Sequence, residues 1–348
     1  MNTIVKLITE DASENNRIFS LGGEIIRNGG LVAFPTETVY GLGANALDAS
    51  AAAKIYLAKG RPSDNPLIIH LARVEDAEKY CFTNEMYYRL AEAFMPGPIT
   101  VVLKKREIIP DTVTGGLDTV AVRVPENPHA RALIAAAGVP IAAPSANLSG
   151  KPSPTRASHV IEDMSGRIDM IIDGGESDIG VESTIVKIAE EGSMTLLRPG
   201  GVTVEMLSVL GDVTLDKAVT DKLSEGERPM APGMKYRHYA PNTRVVLFDG
   251  TDAQFYSFIK SRCREEQVGV LVFEDEIPAL SDLAVTAVSL GSHTNESEAH
   301  SLFSGLRLVD SFDCDVFYIK VPDRSGIGLA VYNRLLKAAG HEIVTAQD

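Results

Sequence analysis

Short apolar segments that stop at proline or glycine, each followed by a polar loop and a punctuated helix, restrict this chain to folds of alternating strands and helices. The clearest case runs from the glycine pair at 29–30 to His70 and reads GGLVAFPTETVYGLGANALDASAAAKIYLAKGRPSDNPLIIH. Residues 31–34 have the length and apolar character of a buried strand, which ends at Pro35. The next segment, TETVYGLG, is rich in hydroxyls and glycine and reads as a loop. An Ala-rich helix follows, with Asp48 as its N-cap, Gly60 at the C′ position and Pro62 preventing continuation. Lys59 and Arg61 flank that glycine. Two cations, several hydroxyls and several glycines thus gather near one sheet edge, an inventory that suits a phosphate-bearing ligand.

The alternation continues. Strand patterns recur at 67–71, 99–103, 119–124, 141–143, 170–172, 183–188 and 195–198, and helix patterns at 83–94, 156–164 and 204–210. A further helix is bracketed by Asn127 as N-cap, Pro128 at N1 and Gly138 at C′. Composition changes over 212–243, where LSEGERPMAPGMKYRHYAP has no helix or strand periodicity and reads as a linker. Beyond it, strands at 244–248, 268–273, 285–290 and 316–321 alternate with helices at 251–266, 297–309 and 329–339. The expected organisation is a first α/β domain over 1–211, a connector over 212–243 and a small second α/β domain over 244–348.

At 348 residues, two domains are the natural expectation, and 45% apolar content supports packed cores. No run of 18 apolar residues exists to span a bilayer, and the N-terminal MNTIVKLITEDASENN lacks the pattern of a secretory signal. Cys81, Cys263 and Cys314 form no even framework, so a reducing cytoplasm is the expected compartment. The net charge is −14, shared equally between residues 1–210 and 211–348. Such a balance argues against a protein that grips nucleic acid through a broad basic surface. Anions here must be held by a local cluster, which favours a small ligand.

Four polar clusters fall at strand ends or in the loops after them, where α/β sheets build sites. The first is TETVYGLG with Lys59, Arg61, Asn65 and His70. The second is Arg123, ending an otherwise apolar strand that begins at Thr119. The third is Pro144-Ser145-Ala146-Asn147, with Ser149, Ser153 and Thr155 behind it. The fourth pairs Glu182-Ser183-Thr184 with Arg198-Pro199-Gly200-Gly201. Each has a plain structural reading: helix C-terminal cations for Lys59 and Arg61, a core ion pair for Arg123, a buried histidine for His70, turn chemistry for Ser145 and Asn147. Together they supply the donors that triphosphates and carboxylates require. GxxxxGK[ST], GxGxxG opening a helix, HExxH and GxSxG are all absent from the sequence. Ser145 with His70 is the one pairing that could imitate a serine hydrolase, and no nucleophile elbow surrounds that serine. The inventory points to a site that orients anionic substrates to react with each other.

In this order, the clusters closely resemble the YrdC-type L-threonylcarbamoyl-adenylate synthases. The paired signatures KxR and SxN stand as Lys59-Gly60-Arg61 and Ser145-Ala146-Asn147, and FPTETVYGLG and the EST…RPG pair also fit. GMKYRHYAP and the segment after it resemble the long, two-domain form. The resemblance implies a YrdC-like domain with a twisted mixed sheet, followed by a small Rossmann-like α/β domain. It implies an enzyme that converts ATP, L-threonine and bicarbonate to threonylcarbamoyl-AMP and pyrophosphate, with Mg²⁺ accompanying ATP. The product would pass to the complex that threonylcarbamoylates adenosine 37 of tRNA. By resemblance, Lys59, Arg61, Ser145 and Asn147 are catalytic. Arg61, Asn65, Thr119, Ser145, Ser153, Arg198 and Tyr236 face ATP, with Tyr236 on a lid formed by the connector. Thr38 (with Thr36 as its rival), His70, Arg123 and Ser183 face threonine. Two other readings accompany these. Weak RNA binding is implied by the association of such domains with double-stranded RNA, against the acidic balance. Carbamoyl transfer is implied by related domains of hydrogenase-maturation proteins, whose acylphosphatase and zinc-finger segments this chain lacks.

Overall fold

The computed structural model describes residues 2–189, 191–221, 230–231 and 238–346. They divide into two compact units, one reaching to residue 235 without Gly150–Pro152, the other comprising that tripeptide and 236 onward. Among the described residues, no helix is long and apolar enough to cross a membrane.

The first unit is built on a mixed sheet. Its strands are β1 (Ile4–Leu7), β2 (Val32–Phe34), β3 (Gly41–Asn45), β4 (Ile68–His70), β5 (Ile99–Lys104), β6 (Thr119–Arg123), β7 (Ile141–Ala142), β8 (Met170–Asp173), β9 (Thr184–Ile188), β10 (Met194–Arg198) and β11 (Val213–Leu215). They lie in the order β1-β8-β2-β3-β7-β4-β6-β5-β9-β10-β11. Strand alternation divides the buried residues between two faces. Val32 and Phe34, with Met170 and Ile172, pack on helices Ala12–Arg27 and Pro128–Ala137. Ala33, Ile69, Val120, Val122 and Ile171 face the larger core, which takes in helices Ala49–Lys59, Glu85–Phe94 and Ala157–Met164. By the same alternation Thr119, Ala121 and Arg123 of β6, and Ile68 and His70 of β4, point away from that larger core.

The helix signals at Asp48, Gly60, Asn127, Pro128 and Gly138 fall where expected. Asp48 accepts from the Ser50 and Ala51 amides at 2.8 and 3.2 Å. Gly60 ends its helix in the left-handed region (φ 64°), where glycine carries no Cβ penalty. The reading of TETVYGLG as a loop throughout needs correction. Its last three residues open β3, which pairs antiparallel with β2 through Val32↔Gly43 and Phe34↔Gly41. A Cβ at Gly43 would sit 2.7 Å from Ile141 and 2.9 Å from Phe34, so this glycine serves close packing inside a sheet. The connector also begins later than Asp212. Val213–Leu215 adds a parallel edge strand to β10, a short Val-Thr-Leu segment whose pairing partner makes it a strand.

The second unit carries β12 (Arg244–Asp249), β13 (Val268–Val272), β14 (Val285–Ser289), β15 (Val316–Lys320) and β16 (Ile343–Thr345) in an all-parallel sheet ordered β14-β13-β15-β12-β16. The core centres on Val246, Phe248, Phe255, Val270 and Tyr318. It is the Rossmann-like α/β arrangement that the sequence suggests.

β1 and helix Ala12–Arg27 have no counterpart in the sequence reading. The helix buries Ile18, Phe19, Gly22, Gly23 and Ile26 at helical spacing, with two glycines in its interior where helix propensity is lowest among non-proline residues. Those glycines let it approach helix Pro128–Ala137, for a Cβ at Gly23 would lie 2.6 Å from the Ala136 carbonyl carbon. Gly23→Ala should therefore destabilise the chain by about 1–3 kcal/mol through overpacking, despite the ~1 kcal/mol propensity gain that alanine normally brings. Calorimetry should show a fall of several degrees in Tm; a rise would mean that the two helices separate freely.

Candidate active site

The helix Ala49–Lys59 delivers its last residue to the loop after β7. Lys59 is 3% exposed. Its Nζ donates to the Ser145 carbonyl, to the Asn147 carbonyl at 2.6 Å and to Asn147 Oδ1 at 3.4 Å. The Ser149 amide returns a bond to the Lys59 carbonyl at 2.9 Å. Within the loop, Ser145 Oγ donates to Asn147 Oδ1 at 2.6 Å, and Asn147 Nδ2 donates to the Leu148 carbonyl at 2.7 Å. Backbone bonds from Leu42 to Pro144 and from Ala146 to Tyr40 zip the same loop to β3. The two sequence signatures thus form one hydrogen-bonded body.

Arg61, just past the left-handed glycine, turns towards the start of β4. Its Nε donates to the Asn65 carbonyl at 3.3 Å and its Nη2 to the Pro66 carbonyl at 3.0 Å. Asn65 Oδ1 is buried with no hydrogen-bond partner among the described residues. β4 and β6 pair from Ile68 opposite Ala121 onward, and the Leu67 amide just before that ladder donates to the Val113 carbonyl at 2.8 Å. Thr119 begins β6 and Arg123 ends it, on the same face and roughly 13 Å apart by strand rise.

At the Arg123 end the loop after β2 closes in. Arg123 Nη2 donates to Glu37 Oε1 at 2.7 Å and to Thr38 Oγ1 at 3.0 Å. Both members of the ion pair are buried, with side chains 5% and 4% exposed. Glu37 also accepts from the Asn127 amide at 3.4 Å. Burial pushes the Glu37 carboxyl upward, but the charge and hydrogen bond of Arg123 outweigh it and hold the group below its usual range. Arg123 Nε is buried without a partner among the described residues, as is Nδ1 of His70, which lies opposite Arg123 in the β4–β6 register. Thr36 donates to the Val39 carbonyl at 2.6 Å and accepts from the Val39 amide at 3.2 Å, so its hydroxyl shapes the turn. Of the two threonines it is Thr38 that reaches Arg123.

On the neighbouring strands Arg198 donates through Nε and Nη2 to the Ser183 carbonyl at 3.1 and 3.0 Å, and through Nη2 to Ser183 Oγ at 3.2 Å. Thr100 and Ser183 hydroxyls lie 2.8 Å apart. Gly200 admits this approach, since a Cβ there would be 2.4 Å from the Thr184 nitrogen. Ser153 donates to Glu182 at 2.6 Å. Arg198 and Ser183, assigned to different substrates by resemblance, are thus bonded to each other. Tyr236 lies outside the described residues. The sequence reading missed Glu37, Glu182 and Thr100 as site residues. Both carboxylates stand inside quoted motifs, and a lone acid between two hydroxyl residues after a buried strand is the signal that marks Glu37.

A family model described as "Telomere recombination" (Sua5, YciO and YrdC) matches residues 24–200. The chain belongs to the Sua5/YrdC family. A second model, "Threonylcarbamoyl-AMP synthase, C-terminal domain", matches residues 202–340. Family relatives of similar length include the threonylcarbamoyl-AMP synthase of Pyrococcus abyssi, 48% identical over 92% of this chain and 93% of that protein. The Bacillus subtilis threonylcarbamoyl-AMP synthase is 43% identical over 97% of each. The crystal structure of P. abyssi Sua5 complexed with L-threonine superposes with a TM-score of 0.90 at 44% identity, covering both chains in full (100% and 100%). The YrdC-like fold, the Rossmann-like second unit and the nucleotidyl-transferring enzyme class follow from these likenesses.

His70 supplies a pH test of the site. Burial, then the nearby Arg123 charge, lowers its pKa from 6.5 to about 3, while Glu37 opposes the shift. The folded state therefore keeps His70 neutral where the unfolded chain binds a proton. Stability from this group is complete above pH 6.5 and declines as pH falls towards 3. Nitrogen-15 NMR at pH 5 should show a neutral His70 imidazole, and unfolding at that pH should take up a proton there. A protonated ring at pH 5 would contradict this account of the site's electrostatics.

Proposed function

We propose that this chain condenses L-threonine, bicarbonate and the magnesium complex of ATP into threonylcarbamoyl-AMP, releasing pyrophosphate. The observation that carries the reading is the Arg123 guanidinium, held on one nitrogen by Glu37 and Thr38 with its buried Nε unpartnered among the described residues. An amino-acid carboxylate completes such an edge, and Glu37 fixes the guanidinium so that little reorganisation is needed on binding. Thr38 and Ser183 offer hydroxyls for the threonine side chain. Neutral His70 offers Nδ1 as an acceptor for the amine without adding charge.

The threonine nitrogen adds to the carbon of bicarbonate, and a water molecule leaves to give an N-carboxylate. A carboxylate oxygen of that intermediate then attacks the α-phosphorus. The bond from the α-phosphorus to the bridging oxygen breaks, and its electron pair leaves with pyrophosphate. No side-chain nucleophile enters the sequence, so rate comes from orientation and charge stabilisation. Arg61, Arg198, Asn65, Thr119, Ser145 and Ser153 face the nucleotide, and Asn147 orients the Ser145 hydroxyl. Magnesium arrives as part of the substrate, as is usual for a triphosphate. Lys59, catalytic by resemblance, serves by holding the loop that carries Ser145 and Asn147. Its donors are committed to Ser145 and Asn147, so it positions the loop and acts on phosphate through its field. The mixed anhydride then passes, in the cytoplasm, to the complex that modifies adenosine 37 of tRNA. Any contact of the chain with RNA is weak, given its charge of −14.

Pyrophosphate release from ATP should require threonine and bicarbonate together, with mass spectrometry showing AMP carrying a threonylcarbamoyl group. Equal release without threonine would replace this reading with a simple pyrophosphohydrolase.

A further inference from the structure

The parallel sheet of the second unit has a topological switch point. The chain leaves β13 towards β14 at one edge and leaves β15 towards β16 at the other, while β13 and β15 are neighbours. Open α/β sheets bind ligands in the crevice at such strand carboxyl ends. A cavity of about 210 Å³ lies there, between the residues that follow β13 and those that follow β15. It is smaller than the roughly 300–1,000 Å³ of typical drug-sized ligand sites.

Its chemistry departs from that of a phosphate cradle. Leu271, Phe273, Leu290 and Ile319 give apolar walls. Lys320 is neutralised in place, bonded to Asp252 at 2.6 Å and to Glu276. Asp323 accepts from Ser325 and Asn295. Glu298, in the first turn of helix Asn295–Leu308, differs from all of these. It is 4% exposed, lines the cavity, and makes no side-chain hydrogen bond or ion pair among the described residues. A buried carboxylate at a helix N-terminus occupies the place where a phosphate would otherwise bind and repels it.

We propose that this crevice is a binding site for a small primary-amine ligand, with Glu298 receiving the ammonium group and the apolar walls receiving a short carbon chain. The site is independent of the adenylate-forming chemistry of the first unit. Asp252, Glu276, His293, Lys320 and Asp323 are the other charged or titratable groups lining the cavity. Burial raises the Glu298 pKa to about 7, with Lys320 opposing and Glu276 and Asp323 reinforcing the shift. Amine binding should therefore strengthen between pH 6 and pH 8 as Glu298 ionises, while an alkylammonium stays charged.

The test uses the full chain with n-butylammonium chloride as probe, read by saturation-transfer NMR, with butyrate as the anionic control. Butylammonium should bind at pH 8, more weakly at pH 6, and butyrate should not. Glu298→Gln, nearly isosteric, should weaken binding about tenfold or more and flatten the pH dependence. Cooperative melting of the variant checks its fold. Leu290→Phe, which fills the cavity and leaves Glu298 in place, should also abolish binding and decides the matter if Glu298→Gln fails to fold. Butylammonium binding that is unchanged in these variants, its absence at millimolar concentrations, or a preference for butyrate would each overturn the proposal.

Discussion

A guanidinium and a carboxylate buried side by side must be paired, and the pairing of Arg123 with Glu37 organises the first unit's site. Removing one partner of such a buried pair generally costs about 3–5 kcal/mol, because the other charge is left uncompensated. Here the pair joins the end of a central strand to the loop after β2, and that loop makes further bonds. The Glu37 carboxylate accepts from the Asn127 amide, and its carbonyl accepts from Ile179. One acidic residue therefore ties together, through side chain and backbone, the loop of the FPTETVYGLG motif, the strand that bears the arginine and two later segments. Under the proposed function, binding energy from a substrate carboxylate would fall on a guanidinium already fixed in orientation.

The same logic governs the other buried cations of the site. Lys59, Arg61 and Arg198 are each at most 9% exposed and each donates to backbone carbonyls of the loops that shape the site. Their charges lie in a face that the sheet and loops shield from water, where electrostatic interactions are stronger than in solution. This is how a chain of net charge −14 would present the anion site of the proposed function. The cations are local, buried and oriented, while the acidic excess lies elsewhere.

What the sequence made legible was local. Asp48, Gly60, Asn127, Pro128 and Gly138 act within one helical turn of themselves, so their roles could be read from neighbours alone. Strands with long apolar runs, such as β5 and β6, were equally plain. What it concealed depends on distant partners. Gly41–Asn45 becomes a strand because β2 and β7 pair with it, and its glycines looked like loop residues until the packing of Phe34 and Ile141 was seen. Glu37 meets Arg123 across 86 positions, a contact that no local pattern announces. Lys59 reads locally as a helix C-terminal cation, and nothing near it announces that the oxygens of a loop 86 and 88 residues away take up its donors. The connector over 212–243, expected to form a lid, is described only in part. Tyr239 is buried with its ring 5.1 Å from that of Phe303, in the second unit.

The central claim, that Glu37 and Arg123 act as one carboxylate-recognising device, is tested most directly by a double-mutant cycle on threonine affinity. Calorimetry on the full chain would compare Glu37→Gln, Arg123→Ala and the double variant. Arg123→Ala should weaken threonine binding about ten- to a hundredfold, as expected for loss of a charged hydrogen bond. Glu37→Gln should weaken it as well, and the double variant should bind no worse than Arg123→Ala alone, because the second change removes a partner already without function. Losses that simply multiply, or threonine binding unchanged in Arg123→Ala, would contradict the account.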